Sequence, residues 1–198
     1  MPVNVDLHVH TRFSGDSSIS PKAIVEKLHA HHAIKGVAIT DHDTTQGINH
    51  VRRLAEPYKD IVIIPGVEIT TQQGHLIILG VEETPPLPIT VWEAVDFGME
   101  QGGVIIAPHP FRSASGLGEN LEEIQVHAIE VLNSRATNEE NHMALELSKI
   151  KGVSMVAGSD GHSIDQLFAA YTKVDSGETV DEILCAIKNG NVKPYTSI

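Results

Sequence analysis

Seven short runs of β-branched and aliphatic residues recur along this chain, and the stretches between several of them carry helix-start signals. The runs cover residues 3–9, 36–40, 61–69, 76–81, 104–107, 128–132 and 154–157, with a further extended piece at 171–174. Each is too short and too β-branched to be a helix of ordinary length. Helix starts are marked by Ser20 ahead of Pro21, an N-cap before a proline that needs no N–H partner. Three capping-box pairs, Thr90/Glu93, Thr137/Glu140 and Thr179/Glu182, mark three more. Gly36, Gly102 and Gly190 stand where helices are expected to end. Alternating strands and helices predict an α/β fold with a mostly parallel sheet. About seven strands point to a small barrel, with an open doubly wound sheet as the alternative. Both forms place their functional sites at the carboxyl ends of the strands.

Composition narrows the function classes. The 198 residues suit a single domain spanning 1–198, and the proline-rich segment 82–88 reads as a loop. Only 4% of residues are aromatic, so the core must rest on Val, Ile, Leu and Ala. A net charge of -12 argues against a general electrostatic grip on nucleic acid or an anionic membrane. It permits a small anionic substrate, because bound cations reverse the local sign. One cysteine, Cys185, allows no internal disulfide, and neither a signal peptide nor a membrane span is legible. A cytoplasmic location is expected.

Twelve histidines are the chemical anomaly, and their positions decide what they mean. His8 and His10 lie two apart on the first run and share a face, either as a ligand pair or as a solvent-facing pair on an edge strand. Asp16 follows in a Gly/Ser turn, where an aspartate is ordinary turn chemistry. The second run ends in Thr40-Asp41-His42-Asp43. His42 is the candidate ligand there, Asp41 a carboxylate that could orient another ligand, and Asp43 a cap for a helix starting at Thr44. Glu68 interrupts a strongly apolar run, and a buried unpaired carboxylate is costly, so it needs a cation. If the chain turns at 71–74 as a hairpin, His75 reaches the same rim; otherwise it merely starts a strand. Pro108-His109-Pro110 fixes one imidazole between two rigid residues, and Asp160 and His162 again stand two apart after the seventh run. Six histidines and three acids therefore collect at predicted strand ends, which points to a metal site. His29, His31, His32, His50, His127 and His142 read as ordinary surface or helix residues. Glu119, Glu122 and Glu123 read as a solvated acidic helix face.

Taken in order, His8-Val9-His10, Thr40-Asp41-His42, Pro108-His109-Pro110 and Ser159-Asp160-Gly161-His162 resemble the motifs of the polymerase and histidinol phosphatase (PHP) domain family, from His8 to His162. The resemblance implies a distorted seven-stranded (β/α)7 barrel with three divalent metal ions (Zn, Mn or Fe) at the carboxyl ends of its strands. By analogy His8, His10, Glu68 and Asp160 hold the first metal. Glu68, His75 and His109 hold the second, and Asp16, His42 and His162 the third. Only 33 residues lie between His75 and His109, so the insertion carried there by some nucleotide-cleaving relatives is missing.

The activity implied is hydrolysis of a small phosphomonoester or nucleotide phosphate, with a metal-held hydroxide attacking phosphorus and no covalent nucleophile. Glu68, Asp160 and His162 are the expected catalytic residues. Arg12, Arg112 and Arg135 fall in predicted rim loops and are expected to grip phosphate. Asn133 ends a strand, as a substrate contact or as a core-rim hydrogen bond. Three divalent ions against three carboxylates would leave a surplus of about three positive charges, which suits a phosphate dianion. The rival readings are a 3'-5' exonuclease-type phosphodiesterase and a metal-stabilised binding module without turnover.

Overall fold

The computed structural model describes residues 1–198 apart from 176, 178 and 198. The described residues form one nine-stranded sheet and five α-helices. The strands are β1 (Val3–Val9), β2 (Ile34–Ile39), β3 (Val62–Thr71), β4 (Gly74–Leu79), β5 (Val104–Ala107), β6 (Ala128–Asn133), β7 (Ser154–Gly158), β8 (Ala170–Val174) and β9 (Val192–Thr196). The helices are α1 (Pro21–Ala30), α2 (Gln46–Ala55), α3 (Val91–Glu100), α4 (Asn138–Lys151) and α5 (Val180–Lys188).

The sheet runs in the order β7-β6-β5-β4-β3-β2-β1-β8-β9. β1–β2–β3 and β5–β6–β7 are parallel sets. Antiparallel β4 joins them, and β8 and β9 add two antiparallel pairings. The sheet nearly closes, because β7 returns to the first strand and to β8. His10 N–H donates to Gly161 O at 3.1 Å, and Thr172 Oγ on β8 bonds both Ala157 N and Ala157 O.

Two sequence expectations need correction. The barrel-like sheet has nine strands, not seven, because β9 was not anticipated and the β8 segment is a full strand. β9 contains Pro194 and is largely exposed, so it lacks the apolar run that marked the others. The sheet is also mixed, because the β3/β4 turn at Gln72-Gln73 is a tight hairpin and leaves no room for a crossover helix.

All three expected capping boxes form, and Ser20 Oγ accepts from Ala23 N–H. Gly102 and Gly190 follow helix ends with positive φ. Gly36 does not end a helix: it lies inside β2, where an added Cβ would press into the Val5 side chain. The terminator sequence reasoning overlooked is Gly152, at φ 65, after α4. Glu119, Glu122 and Glu123 are exposed, on or beside a single 3-10 turn (Gly118–Glu122).

One core cluster draws Val5, Leu7, Ile64, Ile77, Ile106 and Val156 from the sheet together with Ile183 and Ile187 of α5. Separate clusters pack α1 and α2 over β1–β3, and α3 and α4 over β3–β6. The apolar filling leaves the carboxyl ends of the parallel strands for polar residues. Among the described residues no helix is long and apolar enough to cross a membrane.

Candidate metal centre

At that end of the sheet the structure brings all nine expected side chains together. His8 lies on β1 with His10 just beyond it, His42 follows β2, His109 follows β5, and Asp160 and His162 follow β7. The β3/β4 hairpin adds two more. Thr70 pairs with His75 across it, so His75 reaches back to the Glu68 carboxylate. Asp16 comes from the loop between β1 and α1.

Glu68 is the hub. Its Oε2 lies 2.9 Å from His8 Nε2 and 3.1 Å from His10 Nε2. Its Oε1 lies 2.9 Å from His75 Nδ1 and 3.1 Å from His109 Nε2. One buried carboxylate therefore faces His8, His10 and, at 3.6 Å, His42 with one oxygen, and His75 and His109 with the other. Asp160 Oδ1 lies 3.5 Å from both His8 Nε2 and His10 Nε2. Toward solvent, His162 Nε2 meets Asp16 Oδ2 at 2.8 Å, with His42 Nε2 at 3.6 Å from the same oxygen.

The electrostatics follow from that packing. Burial alone would raise the carboxyl groups of Glu68 and Asp160. The neighbouring charge of His8 and the contacts from His10 outweigh it and hold both well below the ordinary carboxylate range. Burial would likewise strip the proton from His8, but Glu68, Asp160 and Glu130 raise its pKa well above the usual histidine value. His42 goes the other way: burial lowers it to about 4, despite Glu68 nearby. His109 and Asp160 hold positive φ values of 28° and 52°, conformations disfavoured for residues with a Cβ and concentrated at functional sites.

The donor set fits divalent metals. Four overlapping groups, His8-His10-Asp160, His8-Glu68-His109, His42-Glu68-His75 and His10-Asp16-His42-His162, each place their ligand atoms within 4.8 Å of one another. His42 Nδ1 is buried without a hydrogen-bond partner, although burying such a group unpaired is costly. Imidazole and carboxylate together suit Zn, Mn and Fe.

Arg112 and Arg135 border this cluster. Arg112 Nη2 lies 2.8 Å from Asp160 Oδ2 and donates to Asn133 Oδ1 at 2.9 Å. Arg135 Nη1 lies 3.4 Å from Asp160 Oδ1. Arg12 is not brought in with them: it is exposed, with its guanidinium over the Phe13 ring. Asn133 takes the core-rim role, tying Arg112 and the backbone N–H groups of Arg135 and Ala136 to its side-chain oxygen. Asp41 orients no imidazole. It accepts from Thr11 N–H and Thr11 Oγ, and so fixes the loop that leads to Asp16. Asp43 caps no helix: α2 starts at Gln46, and Asp43 Oδ1 accepts from Thr70 N–H across to the hairpin.

Sequence reasoning passed over two buried carboxylates beneath the cluster. Asp6 accepts from the backbone N–H groups of His8, Ser159 and Phe168, and so holds the segment that carries Asp160 and His162. Glu130 contacts His8 Nδ1 at 3.1 Å and accepts from His109 N–H at 3.0 Å. The signal that singled out Glu68, an acid inside an apolar strand, was equally present in Ala-Ile-Glu-Val-Leu. The other six histidines stay away from the cluster; His29 pairs with Asp60, for example, and His50 stacks on Phe13.

A profile of the PHP domain matches residues 6–192, nearly the whole chain. The chain belongs to the PHP domain family. Two uncharacterized proteins of Methanocaldococcus jannaschii are similar to this PHP domain. One is 36% identical over 180 residues, 86% of this chain and 70% of that protein. The other is 34% identical over 143 residues, 67% and 82% respectively. Among solved structures, a lesion-specific endonuclease of Pyrococcus furiosus superposes with a TM-score of 0.77 at 18% identity, over 98% of this chain and 58% of its own. A Bifidobacterium adolescentis protein classed provisionally as a metal-dependent phosphoesterase gives 0.69 at 18% identity, over 92% and 96%. At such identities these two establish the shared fold.

Proposed function

We propose that this PHP domain is a metal-dependent phosphoesterase that hydrolyses a small phosphomonoester or nucleotide phosphate at a centre of three divalent ions. The observation that carries the reading is the division of Glu68, with Oε2 toward His8 and His10 and Oε1 toward His75 and His109. A carboxylate so placed suits a bridge between two cations. His8, His10, Glu68 and Asp160 would hold one, Glu68, His75 and His109 the second, and Asp16, His42 and His162 the third.

Ions bound there would supply the Lewis acidity that makes water a nucleophile near neutral pH. The chain's own residues do the rest. Glu68 and Asp160 keep the inner imidazoles in fixed relation, and His162 with Asp16 forms the solvent-facing edge where substrate enters. Arg112 and Arg135 both lie against Asp160. Their guanidinium groups would bind phosphate oxygens, a planar match to that anion. The net charge of -12 favours a small substrate over a nucleic-acid strand.

The test is elemental analysis of the purified protein, followed by a panel of phosphomonoesters, small nucleotides and a labelled oligonucleotide with Zn, Mn or Fe added. Turnover of a small phosphate ester, abolished by chelator, is expected. A fully metal-loaded protein that hydrolyses no phosphate ester would leave a binding module as the better reading. Salt-sensitive cleavage of the oligonucleotide alone would favour the nuclease.

A further inference from the structure

Glu130 is buried on β6, and its two oxygens are not equivalent. Oε2 accepts from His109 N–H at 3.0 Å and from Asn133 Nδ2 at 2.8 Å, with His8 Nδ1 farther from it at 3.4 Å. Oε1 lies 3.1 Å from His8 Nδ1. An ionised carboxylate only accepts, so the hydrogen in that last contact sits on His8 Nδ1. His8 Nε2 faces the cluster, 2.9 Å from Glu68 Oε2 and 3.5 Å from Asp160 Oδ1, and would be the nitrogen that gives up its proton to a cation. Gly158 keeps the contact tight, because a Cβ there would reach within 2.5 Å of Glu130 Oε1.

We propose that Glu130 is a positioning residue that fixes the tautomer of His8, making Nε2 the metal-binding atom, while its second oxygen pins the His109 turn. The inference rests on the cluster being a metal centre, and not on which bond that centre hydrolyses. A carboxylate behind a ligating imidazole fixes ring orientation and raises ligand basicity, and its loss typically costs about 10- to 100-fold in metal affinity.

The geometry makes the effect of Glu130→Gln specific. Two donors converge on the Oε2 position, so the amide oxygen of glutamine must sit there. The amide NH2 then takes the Oε1 position and faces His8 Nδ1. That nitrogen must accept, the imidazole proton moves to Nε2, and the lone pair needed for the metal is gone. Glu130→Asp is shorter but keeps acceptor-only chemistry, so Nδ1 stays the protonated nitrogen.

The experiment is Zn affinity by chelator competition for wild type, E130Q and E130D, with circular dichroism to confirm folding. E130Q is expected to lose about 10- to 100-fold in affinity for at least one ion and to fall below E130D. A role in packing alone predicts the reverse order, because glutamine is the closer match in shape; E130Q binding Zn like wild type, or better than E130D, would overturn the proposal. Long-range 1H–15N spectra of Zn-loaded wild type need no variant to fold. Protonated Nδ1 and metal-bound Nε2 on His8 are expected, and the opposite assignment would overturn the proposal. If E130Q loses Zn but wild type hydrolyses no phosphate ester, the phosphoesterase reading fails and this one stands.

Discussion

Gly158→Ala is the most searching single perturbation of the barrel's closure. Gly158 ends β7, where that strand meets β1, and its φ is one that alanine adopts freely, so any penalty is steric. The new methyl would lie 2.5 Å from Glu130 Oε1 and 3.1 Å from His8 N, and closer still to His8 Cβ. Ordinary contacts between such atoms begin near 3.5 Å, so the overlap is about 1 Å. His8 Cβ and N are held by the β1 ladder and cannot swing away, whereas the Glu130 side chain can. Overpacking of this kind costs about 1–3 kcal/mol. Displacing Glu130 from His8 forfeits a buried hydrogen bond to a charged group, about 1.5–3 kcal/mol more. The sum, roughly 2.5–6 kcal/mol, corresponds to a melting temperature lower by about 5–24 °C for a chain of this size. Thermal unfolding followed by circular dichroism in chelator measures it, and Zn affinity should weaken in parallel. A variant melting within about 2 °C of wild type with unchanged Zn affinity would refute the claim that Gly158 is needed for β7 to close on His8 and Glu130.

The other predictions concern the cluster itself. Glu68→Gln should lower turnover by more than the roughly 100-fold cost of losing a supporting carboxylate, and reduce bound metal by at least one ion per chain; elemental analysis and steady-state rates check both. Arg112→Ala should lower kcat/KM by about 10- to 100-fold through loss of charge-assisted hydrogen bonds, whereas Arg12→Ala should change it by less than about 2-fold. Metal-free stability, read as a urea midpoint in chelator, should peak near neutral to slightly acid pH. Glu68 and Asp160, held below their ordinary values, contribute above the usual carboxylate pKa and lose that contribution as pH falls through their folded values. His42, lowered to about 4, also costs stability as pH drops below the ordinary 6.5, because the unfolded chain takes up the proton first. His8 and His10, both raised, contribute fully below 6.5 and lose that contribution as pH rises through their folded values. A midpoint still climbing from pH 7 to 9 in chelator would contradict the His8 and His10 assignments.

The sequence by itself determined the outline and most of the site. The two-residue spacing of His8/His10 was legible because a β-strand has a fixed side-chain period, and His42, His109, Asp160 and His162 because the chemistry sits where the strands stop. Capping boxes were legible because their hydrogen bonds close within three residues. Tertiary structure decided what depends on partners far apart in the chain. Asp6 looks like a polar residue in an ordinary strand, and the apolar run around Glu130 marks an acid without saying what it meets, until β1, β5, β6 and β7 converge on them. Arg12 and Arg112 look alike in sequence, yet one loop points its guanidinium at Phe13 and the other at Asp160. The mixed sheet and its ninth strand have the same origin. Strand direction and edge pairing are set by which backbone N–H and C=O groups meet across the sheet, and no local pattern of side chains records that meeting.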